Sequence, residues 1–144
     1  HKRKGGDVVT GILVMSHGDL AEGMLNTLQC LYGEAEQIEA LTLMPEDSEE
    51  VFNVRMNEAI ARLDTGDGVL LMVDILGGSP CKAIGYRMAK DGNARVEVIT
   101  GANLPMLIVA AETREYAKLD EVKAQSLEAG VGGVRDLRKL LKLD

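Results

Sequence analysis

The 144-residue chain has room for one compact domain with a sizeable core and is too short for two of ordinary size. Its 16 Lys and Arg against 23 Asp and Glu leave a net charge of −7, the wrong sign for the electrostatic footprint of a nucleic-acid binder. No apolar run approaches the ~20 residues needed to cross a bilayer, and no secretory signal pattern opens the sequence. Cys30 and Cys81 make neither a disulfide framework nor a metal-ligand cluster, so the expectation is a protein of the reducing cytoplasm.

Residues 1–10 read as a tail and lead-in, with a polar start at His1-Lys2-Arg3-Lys4-Gly5-Gly6, and 11–144 as one domain. Gly11 to Ser16 is a short continuous apolar run of the kind found in strands buried on both faces; His17-Gly18 ends it. Asp19 stands as a candidate N-cap for a helix carrying Leu20, Met24, Leu28 and Leu31, stopped by Gly33. Ile38 to Leu43 reads as a second strand. Pro45-Glu46-Asp47-Ser48 then leads into a helix with apolar positions Val51, Val54, Ala59, Ile60 and Leu63. Val69 to Asp74, after a turn at residues 65–68, is the clearest buried strand.

Gly77-Gly78 is a tight turn, and Ser79-Pro80 has the grammar of a helix start, running to about Asp91-Gly92. Arg95 to Thr100 forms a fourth strand, and Gly101 to Pro105 turns into a helix over Met106 to Glu112. Further helices are expected over about Tyr116 to Leu127 and Arg135 to Lys142. No internal repeat or low-complexity linker interrupts the pattern. Four successive β-then-α units imply an α/β fold: a doubly wound, mainly parallel sheet of order 2-1-3-4 with helices on both faces and right-handed crossovers.

In such sheets, ligands bind beyond the carboxyl ends of the strands, where the strand order reverses. For order 2-1-3-4 that crevice lies between strands one and three, ending in Ser16-His17-Gly18 and in Asp74 to Pro80. The sole interior histidine and the acid that ends the strongest strand are thereby brought face to face. Two helix N-termini opening nearby would supply an anion site from backbone N–H groups. Imidazole is a good nucleophile at neutral pH and can accept a phosphoryl group. Asp74 on the other ring nitrogen would fix the tautomer and balance the charge on the ring. Ser79 is a candidate phosphoryl contact; Gly77 and Gly78 let backbone approach closely.

Each residue also has a plainer reading. A histidine at a strand end is often a structural cap, Asp74 can simply terminate a strand, and Gly-Gly-Ser-Pro is ordinary turn-and-cap grammar. Met15, Met24, Met72, Met88 and Met106 fit core gap-filling. Arg135, Arg138, Lys139 and Lys142 read as a solvated helix face, and Cys81 as a small buried residue. A receiver domain phosphorylated on aspartate would share the alternation, but strand one lacks the acidic pair that holds Mg²⁺. Ser79 does not sit in a nucleophile elbow either.

Three segments carry a family resemblance: Gly11 to Gly23, Asp67 to Pro80, and Gly101-Ala102-Asn103-Leu104-Pro105-Met106-Leu107. In this order they resemble the mannose-type enzyme IIA of the bacterial phosphoenolpyruvate-dependent sugar phosphotransferase system, over nearly the whole chain from Gly11. The resemblance implies a phosphotransferase of the sugar-transport machinery. His17 would take a phosphoryl group from the phosphocarrier HPr on the nitrogen facing away from Asp74, and a IIB domain would receive it for sugar uptake. Asp74 would orient the ring and Ser79 contact the phosphoryl group, with Gly18, Gly77 and Gly78 in the phosphate-binding backbone and neither cofactor nor metal required. It also implies a homodimer in which a C-terminal antiparallel strand is exchanged, with Gly130 to Val134 as the candidate, and contact with the membrane only through the IIC and IID components.

Cys81, Lys82 and Val109 depart from the family pattern, and the altered Cys81-Lys82 positions make a regulatory module controlled by phosphorylation the alternative reading. The phosphotransfer subunit of dihydroxyacetone kinase is a second alternative that shares the fold and the histidine. It typically lacks the Gly-Gly-Ser-Pro run.

Overall fold

A computed structural model of the chain describes residues 8–77, 79–90 and 95–144, without the side chains of Ser79, Pro80, Ala89 and Lys90. Its four strands are β1 (Gly11–His17), β2 (Ile38–Leu43), β3 (Val69–Val73) and β4 (Val96–Thr100). All pair in parallel, in the order β2-β1-β3-β4. Six helices surround them: α1 (Leu20–Tyr32), α2 (Glu49–Leu63), α3 (Ser79–Lys90), α4 (Leu104–Thr113), α5 (Leu119–Gly132) and the short α6 (Leu137–Leu140).

The central strands explain the continuous apolar runs. Alternate side chains of β1 and β3 feed two separate cores, so every position must be apolar. Ile12, Val14, Leu70 and Met72 pack with Ala21, Met24 and Leu28 of α1, Leu107 and Ala110 of α4, and Leu119 and Val122 of α5. Leu13, Met15, Leu71 and Val73 face the other way, onto Phe52, Met56, Ile60 and Leu63 of α2 and Ile84 of α3. Burying each such large side chain contributes about 1.5–3 kcal/mol. The outer strands β2 and β4 are only partly buried, which accounts for the weaker apolar pattern of Ile38–Leu43.

Several details differ from the sequence expectation. On α1, Leu20 and Leu31 are exposed and Ala21, Met24 and Leu28 make the buried stripe. On α2, Val51 and Val54 face solvent and the core face is Phe52, Met56, Ala59, Ile60 and Leu63. Each apolar stripe is thus rotated about one residue from the expected one at its start. Met88 is half-exposed, whereas Met15, Met24, Met72 and Met106 are buried.

The segment Gly130–Val134 is not a strand in the single chain. Gly130–Gly132 form the last turn of α5. Gly130 and Gly133, though not Gly132, serve close packing against the start of α4: a Cβ at Gly130 would stand 2.6 Å from Met106 Cε, and one at Gly133 2.7 Å from Pro105 Cγ. The Gly130 carbonyl accepts from Asn103 Nδ2 at 2.9 Å, while Asn103 Oδ1 caps α4 through the Met106 N–H. Of the expected basic helix over 135–142, only Leu137–Leu140 is helical; Asp136 Oδ1 accepts from the Lys139 N–H at its start and Lys142, at φ +57°, follows its end.

Candidate functional site

The β1–β3 register pairs Met15 with Val73, and the Asp74 N–H continues the ladder by donating to the Met15 carbonyl at 3.2 Å. Parallel pairing therefore delivers His17, the last residue of β1, and Asp74, the first beyond β3, to the same edge of the sheet. Asp74 Oδ2 accepts from both the His17 backbone N–H and ring Nδ1, each at 2.9 Å. Its Oδ1 accepts from the Ile75 N–H, also at 2.9 Å. The Asp74 side chain is 9% exposed and that of His17 44%.

Burial pushes the Asp74 carboxyl up. The hydrogen bonds from the His17 backbone N–H, the His17 ring and the Ile75 N–H outweigh it, and the carboxyl lies below its ordinary 3.8. An ionised carboxylate is an acceptor only, so the hydrogen sits on Nδ1 and the lone pair of Nε2 is left on the exposed side of the ring. The backbone and side chain of His17 are both tied to one carboxylate oxygen, which fixes the ring's position as well as its tautomer.

The turn between β1 and α1 is built differently from the sequence expectation. Asp19 occupies the N-cap position but its side chain makes no capping bond. The buried Ser16 hydroxyl does the capping, accepting from the Ala21 N–H at 2.7 Å. Gly18 adopts φ +58°, a left-handed conformation that suits glycine, and its N–H donates to the Leu43 carbonyl at 3.1 Å. Its N–H is thus committed to β2, and what Gly18 offers the site is the absence of a side chain. Gly77, at φ +88°, has open space where a Cβ would stand. Ser79 is the first residue of α3; its side chain, like the whole of Gly78, lies outside the described residues.

His17 stands at the rim of an open cleft of about 790 Å³. The cleft extends over the α2–α3 side of the sheet: the β2–α2 loop supplies Met44, Pro45 and Asp47, α2 supplies Glu49, Phe52 and Asn53, and α3 supplies Lys82, Ala83 and Tyr86. Sequence reasoning treated this loop as a connector and missed its place in the site. Asp47 stiffens it by accepting from the Met44 N–H at 3.0 Å and pairing with Arg55 at 3.3 Å. The Asp-Ser pair after Pro45 was the available signal, because such residues bond to nearby backbone. Of the three departures from the family pattern, Lys82 lines the cleft, while Cys81 and Val109, both partly buried, are not among its lining residues. Among the described residues no group of three or more His, Cys, Asp and Glu side chains is disposed to hold a metal ion, and no helix is long and apolar enough to cross a membrane.

The family model described as the fructose IIA component of the phosphotransferase system, EIIA-man, matches residues 11–127. The mannose-specific EIIAB component of Escherichia coli (strain K12) is 37% identical over 128 residues, covering 88% of this chain and 39% of that protein. The chain thus spans well under half the length of this curated relative. A IIA protein associated with the fucose utilization operon of Streptococcus pneumoniae superposes with a TM-score of 0.82 at 25% identity, covering 94% of this chain and 98% of that one. The mannose/sorbose-specific IIA subunit of Enterococcus faecalis gives 0.77 at 26% identity, over 88% and 93%. With a family match over residues 11–127, which includes both β1 and β3, and a matching fold, the chain belongs to the EIIA-man family, the IIA components of sugar phosphotransferase systems.

Proposed function

We propose that this protein is a phosphoryl relay that accepts a phosphoryl group from HPr on Nε2 of His17 and passes it to a IIB domain during sugar uptake in the cytoplasm. The observation that carries this reading is the His17 ring held through Nδ1 by Asp74 at 2.9 Å with its other edge open to partners. The Nε2 lone pair attacks the phosphorus of the phosphorylated donor. The N–P bond forms as the donor's bond to phosphorus breaks, its electron pair leaving with the donor atom. The ring carries positive charge during transfer, and the Asp74 carboxylate on Nδ1–H balances it. Transfer to the acceptor reverses these steps and restores the neutral ring.

Positive helix ends and exposed backbone near Gly77 suit the arriving phosphoryl charge, and Ser79 at the start of α3 is the proposed side-chain contact. A homodimer belongs to the same reading. The exposed apolar side chains Val131, Val134, Leu137 and Leu141 provide a surface for a second copy.

Incubation with phosphoenolpyruvate, enzyme I and HPr should add one acid-labile phosphate per chain, and His17→Ala should abolish it. Normal labelling of that variant would overturn the proposal. Labelling of His17 without onward transfer to any IIB domain would instead favour a regulatory module.

A further inference from the structure

We propose that Lys82 is the phosphoryl-binding cation of the cleft, neutralising the group carried on His17; the inference rests on the proposed phosphorylation of that residue. His17 aside, Lys82 is the one basic residue among those lining the cleft. Its side chain is exposed and makes no ion pair with another described residue. It lies in the first turn of α3, with Tyr86 one turn further on along the same wall, so its apolar stem can follow that wall while the ammonium reaches toward the rim.

The other charges of the site explain why a cation matters there. Asp47 is already paired with Arg55 on its own loop and helix. Glu49 lines the cleft without such a pair among the described residues, and Asp74 carries a negative charge against the ring. A phosphoryl group adds about −1.5 to −2 charges at the rim. On the β1 side two backbone donors are already committed, because the Gly18 and Ala21 N–H groups are bonded to Leu43 and Ser16. Among the residues lining the cleft, Lys82 is the one Lys or Arg able to bring positive charge into that space. Among the described residues it has no ion-pair partner before phosphorylation, so moving to the phosphoryl oxygens breaks no pair with any of them.

The test uses the full chain phosphorylated chemically with phosphoramidate, so that labelling does not depend on a protein donor. The ³¹P resonance of the group on His17 is then titrated against pH. A nearby cation favours the dianion, so Lys82→Gln should raise the titration midpoint by about 0.5 to 1 pH unit, about three- to tenfold in proton affinity. Lys82→Arg should restore the midpoint, and the remote Lys139→Gln should leave it unchanged. The effect should shrink as salt is raised.

A wild-type midpoint in Lys82→Gln, with an unaltered thermal melt, overturns the inference. Equal shifts in Lys82→Gln and Lys139→Gln also overturn it, since they would report net charge alone. If phosphoramidate labels His17 but HPr does not, the relay reading fails while Lys82 is still judged by the titration. If neither route labels His17, both fall.

Discussion

Replacing Asp74 with asparagine keeps the shape and removes the charge, and it separates orientation of the ring from simple packing. The carboxylate accepts from three donors, two at Oδ2 and one at Oδ1, all at 2.9 Å. An amide has one oxygen. Placed at the Oδ2 position, it keeps both His17 bonds and turns its NH₂ against the Ile75 N–H. Flipped, it turns the NH₂ against both His17 donors. The first orientation is the less costly, and Ile75 is 56% exposed, so water can repair much of its lost bond. The stability loss is therefore about 1 kcal/mol.

The kinetic loss of this variant is larger. On the proposed relay reading it removes the charge-assisted bond that balances the cationic ring during transfer, worth about 1.5 to 2.5 kcal/mol after allowance for the ring's exposure. That corresponds to about 10- to 70-fold in phosphorylation rate. Initial rates of labelling from phosphorylated HPr at limiting donor would measure it, with circular dichroism melts as the fold control. A folded Asp74→Asn protein labelled within about threefold of wild type would refute the claim that the carboxylate acts on the transfer.

Other outcomes follow from the same geometry. Because the folded-state value of Asp74 lies below its ordinary 3.8, the unfolded chain takes up that proton first as pH falls. The carboxylate's stabilisation is thus complete above its ordinary value and lost as pH drops through the lower folded one. Urea unfolding should show the wild-type advantage over Asp74→Asn narrowing only below about pH 4; a constant gap down to pH 2.5 would contradict this. Ser16→Ala removes the acceptor of the buried Ala21 N–H and should destabilise by about 1–3 kcal/mol, whereas Asp19→Ala should change little. Equal melting-temperature losses in the two would disprove the capping assignment. Gly11→Ala would place a Cβ 2.5 Å from the Leu63 carbonyl oxygen and 2.8 Å from its Cβ, so a loss of about 2–3 kcal/mol is expected by urea titration. An unchanged midpoint would show that α2 moves aside freely.

The parts of the fold that were legible from sequence are those in which one local signal has one structural cause. Leu70 to Val73 had to be apolar throughout because β3 is covered on both faces, and the run announced it. The strand order then brought His17 and Asp74 to one edge without any contact information. Where one residue type serves two purposes, local pattern was not enough. Gly130 and Gly132 look like breakers or weak strand residues locally, yet Gly130 is needed in a helix because Met106 of α4 packs against it. The sequence pattern pointed to Asp19 as the cap of α1, and only the backbone path shows that Ser16 takes that role. The cleft was least legible, since its walls come from α2 and α3, which the sequence does not show to be neighbours.

The proposed relay fits an open site better than an enclosed one. An enzyme that completes a reaction on a small molecule gains from enclosing it, because a dry, preorganised pocket strengthens every contact with the transition state. A relay has the opposite need: each tenfold of affinity for the phosphoryl group, about 1.4 kcal/mol, is an equal obstacle to giving it up. His17 is accordingly held firmly from behind, by one buried carboxylate oxygen bonded to both its ring and its backbone, and left open in front. The cleft before it is wide and contains one cation with no fixed partner among the described residues. On the proposed reading, the firm contacts fix the nucleophile, which is the same in both transfers. The loose ones meet the phosphoryl group, which must arrive from one partner and leave with another.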